Sequence, residues 1–191
     1  MDTKLRFLLL MALAAAEPHA GASESIAEKI ASFVAVDAKG SEKYSNPPDF
    51  SKIDYFALCF GATWCGACEN FESRLKAFYR RTKPKYPNFE VIFVSHDFDE
   101  ARWKEHTKRM PWPVVRFDVE HHRHEHPFFG SFGRRALPGL ILISKNGEVL
   151  SSTYIDGDWV GPNVVLNDLK DVLEGRPIKK KETFRSKFKR Q

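Results

Sequence analysis

Cysteine is scarce in this sequence, which has three in 191 residues. Three cysteines cannot build the dense disulfide framework of many small secreted domains, so the fold has to be held by a hydrophobic core. With 42% hydrophobic residues, a chain of this length can form one globular domain with such a core. No internal repeat and no second domain is visible. The apolar run near the N-terminus is shorter than the roughly 20 residues that a membrane-spanning helix needs.

Residues 1–22 have the order of features that is typical of a secretory signal peptide. A basic start precedes an apolar run from Phe7 to Ala16, and the small residues Ala20-Gly21-Ala22 come just before Ser23. We therefore expect the mature protein to begin near Ser23 and to be exported, to the periplasm or as a secreted protein. A retained anchor is the alternative.

Positive charge is concentrated at the C-terminus. The whole chain has a formal charge of +5, but residues 176–191 contain eight basic residues and one acidic residue, so the rest carries a small negative charge. We expect 176–191 to be a disordered, solubilising tail, with weak contact to an anionic membrane surface or an acidic partner as the alternative. The near-neutral remainder of an exported protein argues against nucleic acid as a partner.

Apolar strands and amphipathic helices alternate over the predicted domain, residues 23–175. The predicted elements are a helix at 23–31, strands at 33–36 and 55–62, a helix at 65–81, a strand at 89–95, a helix at 99–110, a strand at 114–117, a hairpin at 140–154 and a helix at 164–173. Parallel strands joined by helices, with an antiparallel pair at the end, predict an α/β three-layer sandwich in which helices flank a mixed central sheet.

Two of the cysteines have a spacing that suits either metal binding or redox chemistry. Cys65 and Cys68 are separated by two residues, and no second pair of this kind exists to complete a structural zinc site. The pair directly follows an apolar strand and opens a helix, and this context favours redox chemistry. A helix N-terminus stabilises a thiolate, so Cys65 is predicted to be the nucleophile and Cys68 the resolving cysteine. The third, Cys59, lies within the strand and is predicted to be an inert core thiol.

Several segments in ordered spacing resemble one protein family. The segment Phe60-Gly61-Ala62-Thr63-Trp64-Cys65-Gly66-Ala67-Cys68 is similar to the active-site segment of the thioredoxin superfamily, especially its tryparedoxin and nucleoredoxin branch. Val94-Ser95-His96-Asp97, Met110-Pro111-Trp112, Phe132-Gly133 before Pro138, and the hairpin after it also resemble that branch. The resemblance implies the thioredoxin-like sandwich and an enzyme that exchanges electrons with protein disulfides.

The resemblance also implies roles for individual residues. The Leu137–Pro138 bond is expected to be cis and to lie beside the dithiol, where the backbone of Leu137 pairs with the substrate chain. Trp64 is expected to shape the surface beside the cysteines, and with Gly66 and Ala67 it completes the predicted substrate-binding set. No metal and no organic cofactor is expected, because the dithiol carries the electrons. The expected partners are protein thiols and disulfides and an unidentified electron donor, and the chain is expected to be a monomer.

The sequence departs from thioredoxins at Cys59 and at the acidic residues after the motif, whereas its Gly66-Ala67 pair is close to the Gly-Pro pair of thioredoxins. Cys59 occupies the position at which thioredoxins have a buried aspartate, so that route for removing a proton from the second cysteine is absent. Glu69 and Glu72 follow the motif where a basic residue is common, and a carboxylate one turn from Cys65 disfavours its thiolate. The Gly66-Ala67 pair lacks the histidine of strong oxidants, which favours a reductant or a mild isomerase.

Four histidines lie within residues 120–126, and imidazole nitrogens are good ligands for transition metals. The spacing is irregular and Arg123 lies among them, so a solvated loop is favoured over a metal site. A binding module that holds a partner or metal through the Pro138 groove or this loop is the main alternative to an enzyme. A peroxide-reducing enzyme would need a dedicated peroxidatic cysteine, and none stands out.

Overall fold

The structure, a computed structural model, describes residues 24–35, 48–117, 126–132 and 136–179. The described α-helices are α1 (Ile26–Phe33), α2 (Gly66–Thr82), α3 (Glu100–Thr107) and α4 (Pro162–Leu173). The described strands are β1 (Val34–Ala35), β2 (Tyr55–Gly61), β3 (Phe89–Ser95), β4 (Val114–Val115), β5 (Gly139–Ser144), β6 (Val149–Ser152), β7 (Tyr154–Ile155) and β8 (Asp158–Trp159). Among the described residues, short 3₁₀ helices cover Phe50–Lys52 and Phe129–Ser131. Within these ranges no helix is long and apolar enough to cross a bilayer.

Six strands form one mixed sheet in the order β1-β4-β3-β2-β5-β6. Strands β2, β3 and β4 are parallel, whereas β1, β5 and β6 each run antiparallel to a neighbour. The chain moves from β2 to β3 to β4 in one direction across the sheet. Since such crossovers are right-handed, α2 and α3 lie on the same face.

Two apolar clusters, one on each face of the sheet, form the core. The cluster beneath α2, α3 and α4 includes Phe71, Leu75, Trp103, Val165 and Leu169, together with alternate residues of β2 and β3. The other cluster contains Ile30 of α1, residues of both 3₁₀ helices and the remaining β2 and β3 side chains. The predicted three-layer α/β sandwich is therefore confirmed.

The predicted element boundaries are right for the long elements and differ for the short ones. Strand β3 covers 89–95 as predicted, and α2 begins one residue after the predicted start because Cys65 is its N-cap. Helix α1 begins at Ile26 rather than at Ser23, because Ser25 and Glu28 form a capping box, and it continues to Phe33, where the sequence predicted a strand. The second hairpin strand is interrupted at Thr153, whose hydroxyl both accepts from the Leu140 N–H and donates to the Leu140 carbonyl.

Part of the predicted domain organisation lies outside the described residues. This applies to the proposed signal peptide at 1–22, to Gly133, to most of the histidine-rich segment and to tail residues 180–191. The start of the predicted tail is described, and it contacts the domain. Arg176 pairs with Asp171 and Glu174, and Ile178 packs against the α2–α4 side of the core.

Candidate active site

The two cysteines of the motif lie at the carboxyl end of β2, where α2 begins. They are joined as a disulfide with their Cα atoms 5.2 Å apart. Cys65 is the N-cap of α2, and its Sγ accepts the backbone N–H of Cys68 at 3.2 Å. Cys65 is half-buried, whereas Cys68 is completely buried on the inner face of α2. Of the two cysteines only Cys65 is therefore open to a partner, and its sulfur accepts an N–H group from the first turn of a helix, where the helix dipole favours negative charge.

An exposed aromatic pair flanks the disulfide. The side chain of Trp64 is 53% exposed, and its ring stacks on that of Phe98, itself 49% exposed, with ring centroids 5.5 Å apart. The Trp64 indole N–H donates to the carbonyl of His96 at 3.2 Å, which fixes the ring over the loop after β3. Exposed neighbouring aromatic rings on a monomer commonly mark a contact surface. Gly66 and Ala67 are also exposed, in the first turn of α2.

The loop proline lies at the same end of the sheet. The Leu137–Pro138 bond is cis, as the resemblance implied. Strand β5 runs antiparallel to β2 with Gly139 opposite Phe60, so its first residues lie beside the end of β2 from which the motif emerges. The loop is held in place by the Ala136 N–H, which donates to the Tyr154 hydroxyl at 2.8 Å. The topology thus brings together the predicted residues Trp64, Cys65, Gly66, Ala67, Cys68, Leu137 and Pro138.

A buried charged cluster lies beneath this end of the sheet, formed by Glu72, Asp97 and His106. The Nε2 atom of His106 is 3.0 and 3.1 Å from the two Glu72 carboxylate oxygens, and its Nδ1 atom is 3.0 Å from Asp97 Oδ2. Asp97 also accepts the backbone N–H and the hydroxyl of Thr63, at 2.7 and 2.6 Å, and the hydroxyl of Ser95 at 2.8 Å. We refer to Glu72, Asp97 and His106 below as the carboxylate–imidazole cluster.

The contacts within the cluster shift the ionisation of its members. Burial opposes the charged form of the imidazole, but its hydrogen bonds to Asp97 and Glu72 outweigh this and raise the pKa of His106 to about 9. Burial likewise opposes ionisation of Asp97, but hydrogen bonds from His106, Thr63 and Ser95 lower the pKa of Asp97 to about 2. His106 is therefore an imidazolium at neutral pH, with a carboxylate on each side.

The third cysteine and the acidic residues after the motif lie in different environments. Cys59 is a free thiol that is completely buried in the core, as predicted. Burial, and secondarily the negative charge of Glu72, raise the pKa of the Cys59 thiol well above its ordinary value, which keeps it protonated and unreactive. Of the two acidic residues that follow the motif, Glu72 is buried and paired with His106, whereas Glu69, one turn from Cys65, is exposed.

The sequence did not reveal the carboxylate–imidazole cluster. Its members come from α2, from the loop after β3 and from α3, and no short motif or helical spacing links them. Of the histidine-rich segment only His126 is described: it is buried, and its Nδ1 accepts the N–H groups of Phe128 and Phe129 at 3.2 Å. In the described part of the chain no group of three or more His, Cys, Asp or Glu side chains is arranged to hold a metal ion.

Comparison with known proteins places the chain among redox proteins of this fold. A family model described as thioredoxin-like matches residues 53–149, about half of the chain and both motif cysteines. Nucleoredoxin of Homo sapiens is 35% identical over 97 residues, which make up 51% of this chain and 22% of that protein. Probable nucleoredoxin 1 of Arabidopsis thaliana is 31% identical over 98 residues, 51% of this chain and 16% of that protein. The chain thus spans less than a quarter of the length of these relatives.

Solved tryparedoxin structures share the fold. Tryparedoxin I from Leishmania major has a TM-score of 0.51 at 20% identity, covering 67% of this chain and 81% of that one. Tryparedoxin II from C. fasciculata has a TM-score of 0.50 at 23% identity, and the match covers 65% of this chain and 76% of that one. Identity this low supports a common fold and nothing finer. The family model matches just over half of the chain, so the chain belongs to the thioredoxin-like family.

Proposed function

We propose that this chain is an exported thiol–disulfide oxidoreductase that exchanges electrons with protein disulfides through Cys65 and Cys68. The observation that carries the proposal is the unequal exposure of the two sulfurs. A half-buried cysteine caps the helix, and a completely buried one lies one turn along its inner face. A partner can reach the first sulfur, and only the first sulfur can reach the second.

In the reducing direction the reaction has two steps. The Cys65 thiolate attacks a partner disulfide, forms a mixed disulfide with one partner sulfur and releases the other as a thiolate. Cys68 then loses its proton and attacks Cys65, which forms the Cys65–Cys68 disulfide and releases the second partner thiolate. Two electrons pass from the dithiol to the partner, and an unidentified donor must return them. The Gly66-Ala67 pair between the cysteines favours this direction, or mild isomerisation, over strong oxidation.

The surface around Cys65 is proposed to bind the partner chain. Trp64 and Phe98 offer an exposed apolar contact, and the backbone of Leu137, before the cis proline, offers hydrogen bonds to an extended segment. Gly66 leaves room for close approach, because a Cβ atom there would meet nothing within 4 Å. An extended chain on either side of a protein disulfide could use both contacts, with its backbone at Leu137 and its side chains at Trp64 and Phe98.

Insulin reduction by the mature protein, beginning at Ser23, tests the proposal. With dithiothreitol as donor, the wild type should accelerate precipitation of the insulin B chain, and Cys65→Ser should abolish the acceleration. A matched Cys59→Ala variant should retain it, because Cys59 is buried in the core and takes no part. An unaccelerated reaction with folded wild-type protein would contradict the enzyme assignment and would favour the alternative, a binding module that uses the Pro138 groove or the histidine-rich segment.

Export is a separate part of the proposal. It rests on the basic start, apolar run and small residues of 1–22. Expression of the full chain in a bacterium, followed by cell fractionation and mass spectrometry of the N-terminus, should give a periplasmic protein cleaved near Ser23. An uncleaved chain in the cytoplasm would refute it. The mature protein is proposed to be a monomer, which size-exclusion chromatography with light scattering would check.

A further inference from the structure

The carboxylate–imidazole cluster contains two acidic side chains and one basic side chain. Glu72 and Asp97 are both at least 95% buried, and the His106 ring lies between them. A buried carboxylate is costly unless it is paired and hydrogen-bonded, and one imidazole ring serves both acids. The cluster therefore has room for one further proton on an acidic side chain.

The two carboxylates differ in how well their charge is stabilised. Asp97 accepts from His106, from Ser95 and twice from Thr63, whereas among the residues that the structure describes only His106 donates to Glu72. Hydrogen bonds to a carboxylate favour its charged form. Of the two, Glu72 is therefore the better proton acceptor.

Glu72 shares the inner face of α2 with the resolving cysteine. It follows Cys68 by four residues, and side chains four apart on a helix are neighbours, with Cβ atoms about 5–6 Å apart. Both side chains are buried. The Glu72 carboxylate also lies against the end of β2, since a Cβ atom built on Gly61 would be 2.7 Å from its Oε1. The acceptor therefore lies at the buried side of the disulfide, away from the partner surface.

We propose that Glu72 accepts the proton of the Cys68 thiol in the resolving step, with His106 as the positioning residue that holds the Glu72 carboxylate in place. This deepens the proposed function and rests on it. The Cys68 S–H bond breaks and its proton passes to the Glu72 carboxylate. The Cys68 sulfur bonds to Cys65, and the bond from Cys65 to the partner breaks. The partner leaves as a thiolate and later takes a proton from Glu72 or from solvent.

The other ionisable groups around Glu72 do not provide a better acceptor. Cys59 on β2 is a buried protonated thiol, and Asp97 is held ionised by its donors. Lys76, one turn farther along α2, is half-buried and positive, and its charge lowers the pKa of Cys59, against the opposing effect of Glu72. His106 already carries its proton at neutral pH.

Stopped-flow reaction of the reduced protein with dithiobis(nitrobenzoate) separates the two steps. Attack by Cys65 releases one coloured thionitrobenzoate at a rate proportional to the reagent concentration. Resolution by Cys68 releases a second thionitrobenzoate at a rate that does not depend on the reagent concentration. We expect Glu72→Gln to slow the second phase at pH 7 by roughly a hundredfold, the lower end of the contribution of a general base, and to leave the first phase within about threefold of the wild type. The difference in second-phase rate between Glu72→Gln and the wild type should become smaller at higher pH, because hydroxide can then remove the Cys68 proton.

Glu69→Gln is the matched control, because it removes an exposed carboxylate from the same helix. It should leave the second phase within about twofold of the wild type. An unchanged second phase in Glu72→Gln, or equal slowing in both variants, would overturn the proposal. Absence of the first phase in the wild type would instead refute the proposed function, so the two failures are distinguishable.

His106→Gln keeps the proposal testable if Glu72→Gln does not fold. The substitution removes the cation that contacts Glu72, and a buried carboxyl group without a cationic partner favours its neutral form, which cannot accept a proton. The pH at which the second phase reaches half its maximal rate should then move upward, an effect that loss of packing alone would not produce. An unmoved pH profile would refute the role of His106 and, with Glu72→Gln unfolded, the proposal itself.

Discussion

The His106 imidazolium should make the stability of the oxidised protein depend on alkaline pH. In the unfolded chain a histidine has a pKa near 6.5, and in the folded protein the pKa of His106 is about 9. A group whose pKa is raised by folding contributes stability in full below its unfolded pKa, and this contribution is lost as pH rises through the folded pKa. We therefore expect a loss of stability between about pH 6.5 and pH 9.

The size of the loss follows from the gap between the two pKa values. At 1.36 kcal/mol per pH unit, the gap corresponds to an upper limit of about 3 kcal/mol. Because the same hydrogen bond also lowers the pKa of Asp97, the two effects are not additive. A loss of about 1–3 kcal/mol is thus expected from His106.

Urea unfolding of wild type and His106→Gln at intervals from pH 6 to pH 10 measures this effect. The disulfide must be kept intact, since the thiols of Cys65 and Cys68 would otherwise titrate in the same range. The difference in unfolding free energy between the two proteins should narrow as pH rises, because only the wild type loses the ion pair. Parallel curves for the two proteins would refute the assignment of an imidazolium at His106.

Three further predictions concern other parts of the structure. Gly61→Ala should lower the unfolding free energy by about 1–3 kcal/mol, because the new Cβ atom would press on Glu72 and Phe93. Gly66→Ala is the matched control: its Cβ atom would meet open space, so urea titration should give an unchanged or higher unfolding free energy. In a Cys68→Ser background, Glu69→Lys should speed iodoacetamide alkylation of Cys65 at pH 7, because a cation replaces a carboxylate one turn from the thiol. The increase should be only about threefold, because the side chain at position 69 is exposed and exposed charges interact weakly. An unchanged or slower rate would mean that the helix terminus alone sets the reactivity of this thiol. Removal of residues 180–191 should leave the melting temperature unchanged. Removal of residues 176–191 should lower it by about 2–4 °C, because Ile178 is lost from the core. A large drop after removal of 180–191 alone would contradict this prediction and show that these residues dock on the domain.

The fold could be predicted because its long elements have strong local signals. Strands β2 and β3 are continuous apolar segments, and α2 has a regular apolar face, so their order and type follow from periodicity. Short elements could not be placed as well, since β1 and β4 have two residues each and depend on pairing with each other and with β3. The interruption at Thr153 likewise depends on a side-chain hydrogen bond to Leu140, which has no local pattern.

The reactive half of the site could also be predicted, but the buried half could not. Cys65, Cys68 and Pro138 belong to recognisable segments of the sequence. Glu72 and His106 are 34 residues apart and meet only because α2 and α3 pack on the same face of the sheet. The sequence showed Glu72 only as an acidic residue after the motif, and tertiary packing shows that it is buried.

The identity of the attacking sulfur is the central claim, and trapping of mixed disulfides tests it most directly. Reduced Cys68→Ser and Cys65→Ser proteins would each be mixed with native insulin, quenched with acid and mapped by peptide mass spectrometry without reduction. The account predicts an insulin adduct on Cys65 in the Cys68→Ser protein and little or none on Cys68 in the other, because only Cys65 is open to solvent. Adducts that form on Cys68 in the Cys65→Ser protein, with none in the reverse variant, would contradict it.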